Sequence, residues 1–242
     1  MWIEEYATNL NILIDPKFAG GYLAPGSKEI IQERIYSLRD IAKKLRKAKR
    51  KAKMMKWEFL ITRELPLTFK QNNDKHQVDL AGKINGENDV IKEINTLLRV
   101  WSFDQDLCYR HGIDGEEVKK KFDEKEKRVI VRYHFDRRAP TVGQPEPIYH
   151  LQVGGQTLDD ENCWFPKQIE VPRFHFPPMD IILLCELVLV NFFHGESENL
   201  RKKPEWIRLI QKSQHAFQNC YYESFYACLK DVNNTILGHL VA

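Results

Sequence analysis

The chain carries no phosphate-binding G-x-x-x-x-G-K-[ST] loop, no G-x-G-x-x-G turn, no H-E-x-x-H, no C-x-x-C and no G-x-S-x-G elbow. A nucleotide-driven enzyme, a dinucleotide oxidoreductase, a zinc finger and a serine hydrolase each need one of those arrangements, so none of these classes has support. No cofactor is expected. Cysteine is sparse: Cys108, Cys163, Cys185, Cys220 and Cys228 are odd in number and lack metal-ligand spacing. That usage suits reduced thiols in a cytosol and not a secreted disulfide scaffold. Long apolar runs are missing too. The longest, Ile181 to Phe193, contains Glu186 and Asn191 and is too short for a bilayer, so it reads as a core helix. The start, Met1-Trp2-Ile3-Glu4-Glu5, lacks the basic and apolar regions of a signal peptide. The expected location is the cytoplasm, with no membrane partner. Charge of one sign is also scarce, because 37 Lys and Arg against 34 Asp and Glu leave a net +3. Any contact with a polyanion therefore depends on where the cations sit.

What is present is an ordinary globular composition: 242 residues, 43% hydrophobic, 29% charged and 11% aromatic, enough to bury a sizeable core. Residues 1–14 are apolar, and Asp15 to Ser27, with its glycines and prolines, reads as a loop. Ser27 is placed to cap a helix in which Ile31, Ile35, Leu38, Ala42 and Leu45 form an amphipathic stripe. At Trp57 the period switches to two, giving a strand that Pro66 closes. Asn85-Gly86 reads as a turn, and Glu87 to Trp101 as a helix through Val90, Ile91, Ile94, Leu97 and Leu98. A second turn at Asp114-Gly115 and a charged helix from Glu116 to Lys127 follow.

Arg128 to Asp136 is the clearest strand, and after a Pro-rich connection a second runs from Ile148 to Val153. Gln168 to Phe176 reads as an edge strand, since Pro172 argues against a central one. Pro177-Pro178 opens the apolar helix, and a last amphipathic helix spans about Pro204 to Leu229. The fold expected is α+β, a small antiparallel sheet packed by helices, with a helical arm over residues 1–56 and a core domain over 57–242.

Two constellations stand out. Alternation puts Arg132, His134 and Asp136 on one face of the first strand of the hairpin, and His150 and Gln152 on one face of the second. Paired with those faces aligned, the histidines can share acid and base roles, and Arg132 can stabilise charge on a transferring phosphoryl group. That chemistry would suit metal-independent RNA cleavage with the 2′-hydroxyl as nucleophile. The plainer account is the solvated side of an antiparallel sheet, where polar residues belong whatever the function. His175 offers a third imidazole, but it reads as a loop histidine, and no metal site is expected. Glu186 inside its apolar helix needs a partner, for which Arg173 and Arg132 are candidates.

The second constellation is basic. Lys43, Lys44, Arg46, Lys47, Lys49, Arg50, Lys51, Lys53 and Lys56 lie within 14 residues that hold no acid. On one helix they make a positive rod of roughly 20 Å, suited to phosphates or to an acidic protein surface. No aromatic residue is interleaved before Trp57, which argues against base stacking.

Three blocks carry a resemblance: Arg132-Tyr-His-Phe-Asp136, then Tyr149-His-Leu-Gln-Val-Gly-Gly155, then Pro172-Arg-Phe-His-Phe-Pro-Pro-Met-Asp180. Their order resembles that of bacterial proteins encoded among mobile-element and antiviral-defence genes, CRISPR-associated accessories included. The paired Tyr-His strands are also similar to those of small ribonuclease toxins of toxin–antitoxin systems. The resemblance runs from Arg128 to Phe193 and implies a setting, prokaryotic defence, with no residue roles to carry over. The leading expectation is an interaction subunit of such a system, binding a protein, RNA or DNA through the basic helix. The alternative is a metal-independent ribonuclease toxin using His134 and His150.

Overall fold

A computed structural model describes residues 2–50, 53–71, 76–102, 128–137, 149–154 and 173–230. The expected turn at Asp114-Gly115, the helix from Glu116 to Lys127, the Pro-rich connection and the first part of the segment from Gln168 lie outside the described residues. Two helices, α1 (Trp2–Leu13) and α2 (Ser27–Arg50), precede the strands. These are β1 (Lys56–Ile61), β2 (Leu67–Thr68), β3 (His76–Glu87), β4 (Val90–Ser102), β5 (Arg128–Arg137), β6 (Tyr149–Val153) and β7 (Arg173–His175). Helices α3 (Ile181–Phe192), α4 (His194–Arg201) and α5 (Pro204–Lys230) close the described chain. The fold is α+β. The seven-stranded sheet is antiparallel in order β1-β3-β4-β5-β6-β7, with β2 pairing β3 beside β1.

Helices and sheet share one core. Ile3, Tyr6, Leu10 and Leu13 of α1 and Ile31, Ile35, Leu38 and Leu45 of α2 belong to the same buried cluster as Phe59, Leu80, Leu98, Phe135 and Leu184. The helices meet one side of the sheet: Trp2 packs on Trp57, Tyr6 on Phe59, and Tyr221 of α5 on Tyr149. On that side Thr96 donates to the Met179 carbonyl at 2.6 Å, just before α3. The expected boundary between residues 56 and 57 falls at the entry to β1, and the core cluster continues across it.

Several local expectations are corrected. The segment expected to be helical from Glu87 to Trp101 is strand β4. Its interior is buried on both sides, with Ile94, Thr96, Leu98 and Val100 facing the helices and Leu97 and Arg99 behind them. A doubly buried strand loses polar alternation and imitates a helical stripe. Asn85-Gly86 is not a turn. The strand continues through it with a bulge, and the reversal comes at Asn88, whose φ is +52°. Gly86 serves close approach instead, because a Cβ there would lie 1.9 Å from Cζ2 of Trp57.

Residues 2–13 form α1, a helix that the apolar reading did not specify. Ser27 does not cap α2. Its hydroxyl donates to the Thr68 carbonyl and accepts from the Thr68 amide, both at 2.9 Å, clamping α2 to β2. The prolines at 177 and 178 precede the helix they were expected to open, and Asp180 caps it by accepting from the Leu183 amide at 2.9 Å.

Candidate functional site

The register of β5, β6 and β7 decides which polar side chains meet. Asp136 pairs with His150, and His150 with His175; His134 pairs with Gln152, and Gln152 with Arg173. Strand alternation therefore puts Arg132, His134, Asp136, His150, Gln152 and His175 on the same face, as expected for the first five. Arg99 and Asp79 extend that face across β4 and β3. It is the face opposite the one on which Trp57, Phe59, Thr96 and Tyr149 meet the described helices.

The middle of this face is buried, whereas Gln152 and His175 are half-buried. Arg132 is 1% exposed, His134 8%, Asp136 2% and His150 0%. His150 Nε2 lies 3.3 Å from Asp136 Oδ2. Asp79 accepts from Arg99 Nε at 2.7 Å and Nη2 at 3.0 Å, and from the indole nitrogen of Trp101 at 2.7 Å. The Arg99 guanidinium also donates to the Arg63 carbonyl and stacks 5.0 Å from the Trp101 ring. This two-pronged pair is what a buried carboxylate needs, and sequence reasoning missed it because β4 was read as a helix.

His175, which lies in the expected edge strand but was read as a loop histidine, stands in β7 at the edge of the sheet, beside His150. Both of its ring nitrogens are buried without a hydrogen-bond partner. Burial, and then the neighbouring His150, hold its pKa below the ordinary imidazole value, so it stays neutral at pH 7. Residues at diagonal positions such as His134 and His150 are roughly 7–8 Å apart, and somewhat less at Cβ, close enough to flank one phosphate. The chemistry is plausible in its residue types, but an enzyme also needs an open cleft, and these groups are sequestered. Among the described residues no group of three or more His, Cys, Asp or Glu is arranged to hold a metal ion.

Glu186 pairs elsewhere than expected. It accepts from Arg201 Nε of α4 at 3.2 Å and from the indole nitrogen of Trp206 of α5 at 2.6 Å, so it fastens the C-terminal helices together. Asp180, unlike Glu186, is fully buried. Tyr6 of α1 and Ser213 of α5 are beside it, and burial raises its pKa from the ordinary 3.8 to about 6 against the opposing pull of the Leu183 amide.

The basic constellation is exposed. The described helix α2 runs to Arg50, and the rod is shorter than expected: Lys53 is in an irregular segment, Lys56 begins β1, and Lys51 lies outside the described residues. Lys43, Lys44, Arg46, Lys47, Lys49, Arg50 and Lys53 are all exposed, while Leu38, Ala42 and Leu45 bury the opposite stripe. Lys44 pairs with Asp40 at 2.6 Å and Arg46 with Glu4 at 2.8 Å. Among the described residues Lys43, Lys47 and Arg50 make no ion pair, and their four- and three-residue spacing aligns them as one ridge. Beside the ridge is an open hollow of about 540 Å³ lined by Lys44, Lys47, Ala48, Arg50, Lys53, Met54 and Met55.

Neither protein-family models, nor curated proteins, nor solved structures yield a match to this chain. No described helix is long and apolar enough to cross a membrane.

Proposed function

We propose that the protein is an interaction subunit that docks a polyanionic partner through the basic end of α2. Exposure is the observation that carries this reading. The cations at the end of α2 face solvent, whereas the histidines that a nuclease would use are buried. A ridge of cations in which Lys43, Lys47 and Arg50 exceed the nearby carboxylates of Asp40 and Glu4 attracts a polyanion over distances of about 10 Å at moderate salt and speeds its encounter. The setting we infer is prokaryotic antiviral defence, supported by the order of the three blocks between Arg132 and Asp180.

Retention on immobilised heparin tests the ridge. The triple variant Lys43→Gln, Lys47→Gln and Arg50→Gln is expected to elute at much lower salt than the unaltered protein. Co-elution of the two would contradict the reading.

One observation favours a second function, a metal-independent ribonuclease toxin: the strand register aligns His134, His150, Arg132 and Asp136 on one face. Cleavage of an RNA panel that persists with chelator and is lost in folded His134→Ala and His150→Ala would establish it. No cleavage by the unaltered protein would remove it.

A further inference from the structure

The hollow beside the basic ridge is built, and its lining says more about the partner than charge alone does. Two sets of hydrogen bonds fix its floor. At the end of α2 the Lys53 amide donates to the Ala48 carbonyl at 3.0 Å, turning the chain back across the last turn of the helix. Two residues on, the Met55 amide donates to the side-chain oxygen of Asn88 at 3.1 Å, and the Asn88 amide returns a bond to the Met55 carbonyl at 2.8 Å. The Asn88 carbonyl in turn accepts from the Trp57 indole at 2.8 Å. The left-handed turn of the β3–β4 hairpin thus holds Met55 in place, and with it the wall that faces α2.

The walls combine two chemistries. Lys44, Lys47, Arg50 and Lys53 stand around the hollow, and Ala48, Met54 and Met55 supply an apolar lining. Met54 is 64% exposed, a large apolar side chain held in water among cations. Methionine is flexible and polarizable, which suits it to receive an apolar side chain of a partner without a fixed shape. A nucleic acid would use the cations, but its apolar groups are a thymine methyl and sugar edges, with no branched aliphatic side chain to place against the methionines. Among the described residues no aromatic ring lines the hollow for a base to stack on.

We propose that the hollow between the end of α2 and β1 seats an aliphatic side chain from an acidic segment of a partner protein, while the surrounding cations engage the carboxylates that flank it. The proposal rests on the reading that the basic end of α2 is a docking surface, and it names the class of partner. Acidic residues spaced around a leucine or isoleucine complement the site in both respects. Nucleic acid, the other polyanion, is the competing occupant.

The test uses fluorescence anisotropy with the full chain and three probes of equal net charge. One is a labelled peptide repeating Glu-Glu-Leu-Glu, the second the same peptide with serine for leucine, and the third a single-stranded oligonucleotide. The leucine peptide is expected to bind at least about tenfold more tightly than the serine peptide, the affinity that burying part of one aliphatic side chain supplies. Met54→Ser, a change at an exposed position, is expected to erase most of that difference, and Lys47→Gln to weaken both peptides alike. Equal binding of the two peptides, or tighter binding of the oligonucleotide than of the leucine peptide, would overturn the proposal and leave the docking surface standing. If none of the three probes binds, the docking surface itself fails.

Discussion

Burial of Asp180 ties folding stability to pH, and the size of the effect follows from its surroundings. The carboxyl is 0% exposed at the start of α3, and burial raises its pKa from 3.8 to about 6. A raised folded pKa in an acid means that the folded protein holds the proton more tightly than the unfolded chain does. The stabilising effect of that proton is complete below about pH 4 and is lost as pH rises through 6. At about 1.4 kcal/mol per pH unit, the displacement amounts to about 3 kcal/mol lost from low to neutral pH. Asp180→Asn keeps an acceptor for the Leu183 amide, because asparagine caps helices as well as aspartate does. It also keeps the site neutral at every pH. Urea unfolding of both proteins at a series of pH values isolates this group, since other titrating residues cancel in the difference. The variant is expected to gain on the unaltered protein progressively between pH 4 and 7, by up to about 3 kcal/mol. A stability difference that is flat across that interval would refute the reasoning.

Other substitutions probe the frame. Gly86→Ala is expected to destabilise by about 1–3 kcal/mol in urea unfolding, because the new methyl collides with the Trp57 ring and with the Val90 carbonyl. Arg99→Met leaves Asp79 buried with only the Trp101 indole among the hydrogen bonds described above, and is expected to cost about 3–5 kcal/mol by the same assay. Ser27→Ala removes both bonds to Thr68 and is expected to cost about 1–3 kcal/mol, since the Thr68 amide loses its partner. Unchanged midpoints for any of these would show that the neighbouring structure relaxes around the change.

The legible parts of the fold were those whose two faces differ. In β5 the alternation of Val131, Tyr133 and Phe135 with Arg132, His134 and Asp136 is plain in the sequence, and both the strand and its faces are as expected. The stripe of α2 was readable for the same reason, with Leu38, Ala42 and Leu45 all buried. Where both faces are buried, periodicity misleads. β4 is apolar on one side and carries Leu97 and Arg99, also buried, on the other, so its spacing looks helical. β3 had no reading at all, because Val78 through Gly82 are buried without a break. In α1 the helical spacing of Ile3, Tyr6, Ala7, Leu10 and Leu13 was present, and the loop-forming residues after it drew attention away.

The polar face follows the same division. Sequence alternation put its residues on one side, and pairing aligned them across strands, but burial is a property of what lies over the sheet and cannot be read from one strand. The pair of Asp79 with Arg99 and the placement of His175 beside His150 both depend on long-range register. The end of α2 was misjudged, because the basic run reaches Lys53 and Lys56, which lie outside the described helix.

The most direct test of the docking surface is the affinity of the full chain for labelled polyglutamate at low and at moderate salt, measured beside the Lys43→Gln, Lys47→Gln and Arg50→Gln triple variant. The account predicts binding that weakens steeply with salt and is largely lost in the variant. Equal affinity in the two proteins, or affinity indifferent to salt, would contradict it.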